Sequence, residues 1–115
     1  MTNIVITAAK RTPIGKFMGK LSSLSAPQIG SHCVNATIEQ SKIDKKLIDE
    51  LIIGQVLTGG AGQNPARQTS IMSEFPIEKS AVTVNQVCGS GLRSVIMGSQ
   101  SILTGQSEIV IAGGQ

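Results

Sequence analysis

Short apolar runs rich in Ile and Val alternate along this chain with longer stretches patterned for helix, and that alternation constrains the fold more than any other feature. The runs fall at 4–9, 51–57, 81–87 and 108–112. Helical stretches fall at 25–40, 64–73 and 92–104, with a further short helical piece beginning at Asp44. Repeated strand, helix, strand order gives each strand a crossover before the next, which favours parallel pairing in a sheet covered by helices. The expected fold class is therefore α/β and layered, with a mostly parallel central sheet.

Local signals set the element ends. Ser25 reads as an N-cap and Pro27 is tolerated in the first turn behind it. Ile29, Cys33 and Ala36 then share one face of that helix. Asn64 before Pro65 is a second helix start, and Phe75-Pro76 stops that helix. Leu92, Val95, Ile96, Ile102 and Leu103 make an apolar side on the third helix, which Gly105 closes. The run at 4–9 reads as a buried strand followed by a loop to Ser25. With 115 residues, no Trp, no Tyr and two Phe, the core of one small domain must be built from aliphatic side chains.

Several function classes fit poorly. The net charge of +3 is spread along the chain, and Asp44, Asp49 and Glu50 interrupt its densest cationic group of Lys42, Lys45 and Lys46. A nucleic-acid surface wants clustered cations with aromatics for stacking. Two cysteines, Cys33 and Cys88, with a lone His32, match no metal-ligand spacing. The glycine loop at 59–62 has no following Lys-Ser or Lys-Thr, so it does not read as a phosphate loop. The opening apolar run is too short for a leader or a membrane span, and a cytoplasmic protein with free thiols is expected.

The segment that carries chemistry is Val84-Asn85-Gln86-Val87-Cys88-Gly89-Ser90-Gly91-Leu92-Arg93. A strand would deliver Cys88 to the sheet edge, Gly89 and Gly91 would let the chain reverse, and a helix would leave at once. A sulfur at a helix amino terminus meets free amides and the positive end of the dipole, which favour the thiolate, the reactive form. The same amides suit an oxyanion on a thioester carbonyl. The residues alone leave two readings open, a nucleophile and a small buried thiol.

This segment resembles the thiolase active-site signature, through Asn85, Cys88, Gly89, Ser90, Gly91, Ser94 and Val95. Other stretches are similar to the family in order and spacing: Arg11-Thr12-Pro13-Ile14-Gly15-Lys16-Phe17, Gly62-Gln63-Asn64-Pro65-Ala66-Arg67-Gln68 and Ile109-Val110-Ile111-Ala112-Gly113-Gly114. The residues around Gln63 and Gln86 look more like acetyl-CoA acetyltransferases than 3-ketoacyl-CoA thiolases of fatty-acid degradation.

The resemblance implies a layered thiolase-type fold, with 1–115 as part of its amino-terminal domain and the nucleophile at a strand-to-helix turn. It implies that Cys88 takes an acetyl group from acetyl-CoA and passes it to a second acetyl-CoA, forming acetoacetyl-CoA, or runs the reverse cleavage. Acetyl-CoA and CoA are then substrates, and no cofactor, metal, nucleic acid or membrane is called for. The family's histidine, second cysteine and Asn-Glu motif have no counterpart in 1–115, so the chain is expected to be a fragment without activity of its own. The CoA-binding loop region and the carboxy-terminal half are expected to be absent. A homodimer or homotetramer is implied for the complete enzyme, with contacts near Asn64, Arg67 and the run from Ala81 to Val87. Alternatives are a condensing enzyme loaded from an acyl carrier protein and a non-catalytic chain that binds a partner through its sheet edge. Arg67 and Arg93 are expected to be structural, as are His32 on the helix surface and Cys33 in the core.

Overall fold

The computed structural model describes residues 3–115. Three helices, α1 (Ala26–Ser41), α2 (Pro65–Met72) and α3 (Ser90–Leu103), surround strands β1 (Glu50–Gly54), β2 (Ser80–Val84) and β3 (Val110–Gly114). A single 3-10 turn at Lys45–Leu47, capped by Asp44, precedes β1. The strands form one sheet in the order β2-β1-β3, parallel throughout, with Glu50 opposite both Ser80 and Val110.

β1 lies in the middle and is the one strand buried along both faces. Leu51 and Ile53 point to one side, where they join Val34 of α1, Ala66 of α2, Ile48 and Phe75 in the core. Ile52 and Gly54 point to the other side, toward α3. The result is helix, sheet, helix, as the sequence alternation required.

The caps behave as their residue types demand. Ser25 and Gln28 form a reciprocal capping box at α1. Asn64 Oδ1 accepts from Arg67 N–H at 3.1 Å at the start of α2. Gly105, just past α3, takes a φ of +73°, the left-handed closure that glycine permits.

Two helical faces differ from expectation. On α1 the buried positions are Pro27, Gly30, Ser31 and Val34, so the core face is rotated from Ile29, Cys33 and Ala36, which are half-buried. On α3 the buried positions are Ser90, Ser94, Gly98 and Ser101, whereas Leu92, Val95, Ile96 and Leu103 are exposed. The reason is distance. α3 presses so close to the sheet that a Cβ at Gly98 would sit 3.1 Å from Val110 Cγ1, and only small residues fit.

The strand expected at 4–9 is not formed. That segment lies outside the sheet, and Val5 and Ile6 are exposed. A groove of about 360 Å³ lies between it and β3, lined by Val34 and Ile38 from α1 and by Val95 and Ile102 from α3. Without a ladder partner at hydrogen-bonding distance, a continuous apolar run forms no strand. It is tethered to α1 instead, through Ala9 N–H donating to Gln40 Oε1 and Cys33 Sγ donating to Lys10 O.

Asp49 fixes the entry to β3. Its Oδ2 accepts from Glu108 N–H at 2.8 Å and Ile109 N–H at 3.1 Å. These two bonds, helped by Lys79 Nζ at 3.7 Å from Oδ1, hold its carboxyl below the ordinary aspartate value. No helix among the described residues is long and apolar enough to cross a membrane.

Candidate active site

β2 ends at Val84 rather than running to Val87, and α3 begins at Ser90. Cys88 is therefore carried by a turn, 85–89, and not by the strand itself. Side chains brace that turn at both ends. Asn85 Oδ1 accepts from Val87 N–H at 2.9 Å, while its Nδ2 donates to Val56 O at 3.1 Å. Ser90 Oγ accepts from Gln86 N–H at 2.8 Å and donates to Val87 O at 2.6 Å. Gly89 N–H donates to Gln86 O and Ser90 N–H to Val87 O, each at 3.1 Å.

The chain reversal comes from an unexpected residue. Val87 has a φ of +50°. A β-branched side chain rarely adopts that left-handed backbone, because its Cβ crowds the carbonyl. Neither Gly89 nor Gly91 takes a positive φ, so the reversal expected at those glycines is corrected to Val87. Strain of this kind persists only where neighbours over-determine it. Here Asn85 holds Val87 N–H and Ser90 holds its carbonyl. Cys88 follows directly, with an exposed, free thiol.

Of the amides around the sulfur, those of Gly89 and Ser90 are spent inside the turn. The dipole of α3 remains, and Gly89 at its N-cap supplies no side-chain cap. The position of that helix end is set by Gly54. A Cβ there would meet the Ser90 carbonyl carbon at 2.5 Å and Gly91 N at 2.7 Å. Glycine at 54 is what lets the start of α3, and Cys88 with it, rest on the end of β1. Ser94 pins the same end, its buried hydroxyl lying 2.6 Å from Gly91 O and 2.7 Å from Gly113 O.

The remaining candidates resolve as structural groups. Arg67 is occupied by backbone, Nη1 donating to Lys79 O and Nη2 to Ile77 O, each at 2.8 Å. Gln68 Nε2 holds the glycine loop through Ala61 O and Gln63 O. Arg93 and His32 are exposed on their helices. Cys33 is half-buried rather than core, because its thiol reaches outward to Lys10 O. Among the described residues neither His32 nor Cys33 bonds to Cys88, and no cluster of potential metal ligands forms.

Sequence reasoning missed what Asn85, Val87, Ser90 and Gly54 do. Asn85 carried a readable signal, since Asn commonly bonds to the backbone two residues on. It also missed a chain of amides beneath the site. Gln115 Nε2 donates to Gln55 Oε1 at 2.9 Å, Gln55 Nε2 donates to Leu57 O at 2.9 Å, and Thr69 Oγ1 donates to Gln115 Oε1 at 2.7 Å. These bonds fix the segment that presents Val56 O to Asn85.

The family model described as "Thiolase, N-terminal domain" matches residues 4–115. The chain belongs to the thiolase family. It is 51% identical over 115 residues to the probable acetyl-CoA acetyltransferase of Escherichia coli strain K12, covering 100% of this chain and 29% of that relative. It is 52% identical over 112 residues to the acetyl-CoA acetyltransferase of Thiocystis violacea, covering 97% of this chain and 28% of that relative. The crystal structure of a thiolase from Ascaris suum in complex with coenzyme A superposes with a TM-score of 0.92 at 44% identity, over 94% of this chain and 28% of that one. The chain thus spans less than a third of the length of these thiolases, and the layered α/β fold expected from the resemblance is the fold found.

Proposed function

We propose that Cys88 is the acyl-accepting nucleophile of an acetyl-CoA acetyltransferase, and that this chain supplies the part of the enzyme that holds it. The observation that carries this reading is an exposed thiol on a braced, strained turn at the start of α3, in a thiolase amino-terminal domain. The names of the relatives favour acetyl transfer over longer acyl chains.

In the proposed reaction the Cys88 thiolate attacks the carbonyl carbon of acetyl-CoA. An S–C bond forms to Cys88, and the CoA thiolate leaves. A second acetyl-CoA, having lost an α-proton to a base, attacks the acetyl-enzyme: a carbon–carbon bond forms at the acetyl carbonyl carbon, the S–C bond to that carbon breaks, and Cys88 leaves as thiolate. The α3 dipole offsets the negative charge on sulfur at both ends of the cycle. The base and the proton-handling cysteine of the family belong to sequence beyond 1–115, so 1–115 by itself is proposed to be inactive. CoA and acetyl-CoA act as substrates, and no cofactor enters.

The same reading extends to a cytoplasmic homodimer or homotetramer. β2 is an edge strand of the sheet, which supports a contact along it. Asn64 and Arg67 already bond within the chain, so they would shape such a contact rather than reach across it. The test is Cys88→Ser in the whole protein, assayed for acetoacetyl-CoA cleavage. A loss of about a thousandfold or more in kcat is expected. Activity within about tenfold of wild type would overturn the assignment.

A further inference from the structure

We propose that Asn85 is a positioning residue for Cys88, holding Val87 in the left-handed conformation that presents the thiol. This deepens the reading of Cys88 as acyl acceptor and rests on it.

Val87 is the weak point of the turn, because a valine at a φ of +50° gains by returning to an extended conformation. Such a return would swing Cys88, the next residue, out of line with α3. Two side chains oppose it. Ser90 is buried inside α3 and is part of the helix packing. Asn85 lies outside any helix or strand, is exposed, and spends both ends of its carboxamide on this task. Its Oδ1 takes Val87 N–H at 2.9 Å, and its Nδ2 anchors on Val56 O at 3.1 Å.

The anchor is rigid. Gln55 beside it is 5% exposed, its N–H donates to Val84 O at 3.0 Å, and its side chain is bonded to Leu57 O and Gln115. Asn85 therefore transfers the rigidity of the β1 end to the backbone one residue before the thiol. Asn85 has no hydrogen bond to Cys88 itself among the described residues, so it acts through Val87.

A positioning role differs from a merely stabilising one in what rescues it. Glycine takes a φ of +50° without the penalty that valine meets. If Asn85 works by holding Val87, then Val87→Gly makes Asn85 largely dispensable. If Asn85 only ties two loops together, Val87→Gly repairs nothing.

The experiment uses the whole protein, with alkylation by iodoacetamide read on the peptide that contains Cys88 by mass spectrometry, together with kcat and KM for acetoacetyl-CoA cleavage. Asn85→Ala is expected to slow alkylation and kcat by about tenfold, with KM changed less than about twofold. Asn85→Ser keeps an oxygen acceptor for Val87 N–H but loses the bond to Val56 O, and is expected to fall between Asn85→Ala and wild type. Adding Val87→Gly to Asn85→Ala is expected to restore alkylation to within about threefold. Alkylation of Asn85→Ala within about twofold of wild type would overturn the proposal, as would failure of Val87→Gly to restore it. Should Asn85→Ala not fold, Asn85→Gln, which misplaces the acceptor by one methylene, is read with and without Val87→Gly in the same way. Rescue of alkylation alongside full activity of Cys88→Ser would keep the positioning role and remove the acyltransferase reading.

Discussion

The turn at 85–89 and the segment at 4–9 both extend from apolar, β-branched runs, yet one is held and the other is not. At 85–89 the chain leaves β2 and enters a strained conformation, and Asn85, Ser90 and the Gly54 contact satisfy or oppose every departure from it. At 4–9 the chain is apolar, but a groove separates it from β3 and two bonds at its end, from Ala9 N–H and to Lys10 O, tether it to α1. β-propensity alone therefore decides little. A strand forms where a neighbour offers a ladder, and a strained turn forms where side chains answer its backbone groups.

Four changes test that contrast, beginning with the largest effect. Gly54→Ala would drive a methyl group into the backbone of Ser90 and Gly91, which cannot move without shifting α3. A loss of about 3 kcal/mol in unfolding free energy is expected, together with slower alkylation of Cys88. A denaturation midpoint unchanged from wild type would show that the braced side is looser than described.

Ser94→Ala removes a fully buried hydroxyl and leaves Gly91 O and Gly113 O without it. About 1–2 kcal/mol should be lost by chemical denaturation. A neutral result would mean that the end of α3 is held by contact alone.

Asp49 gives a pH-dependent contribution on the β3 side. Its folded carboxyl titrates below its ordinary value of 3.8, so the contribution is complete above that value and is lost as pH falls through the lower, folded value. Acid unfolding curves of wild type and Asp49→Asn are expected to converge as pH drops below 3.8. Curves that stay parallel would contradict the two backbone bonds assigned to Asp49.

The smallest effect belongs to the open side. Ile6 is 80% exposed, and in the 115-residue chain Ile6→Ser should change stability by less than about 0.5 kcal/mol. Hydrogen exchange should agree, with amides at 4–9 exchanging far faster than those of β1. Equal protection would close the gap between the two regions.

The sequence revealed the layers, because strand and helix periods alternate plainly and Ser25, Asn64 and Gly105 mark helix ends by residue type. It also revealed Cys88, through its position before a helix and its resemblance to the thiolase signature. What it hid depends on pairs of residues distant in sequence. Gly54 needs α3 above it to have meaning, and the serine and glycine face of α3 looks like a weak helix until the sheet lies against it. Leu92, Val95 and Ile96 misled because apolar periodicity marks a face without saying what covers it. Val87 could not be found by any propensity, since valine is the residue least expected at a left-handed turn. The strand at 4–9 failed for the opposite reason, having every local preference and no partner at hydrogen-bonding distance.

The most direct measurement is to mix the whole protein with acetyl-CoA, quench in acid and map the peptides by mass spectrometry. One acetyl group on the peptide containing Cys88, absent from Cys88→Ser and from the Cys33 peptide, is the expected result. Acetylation elsewhere, or none on Cys88 under conditions where acetyl transfer turns over, would contradict the account.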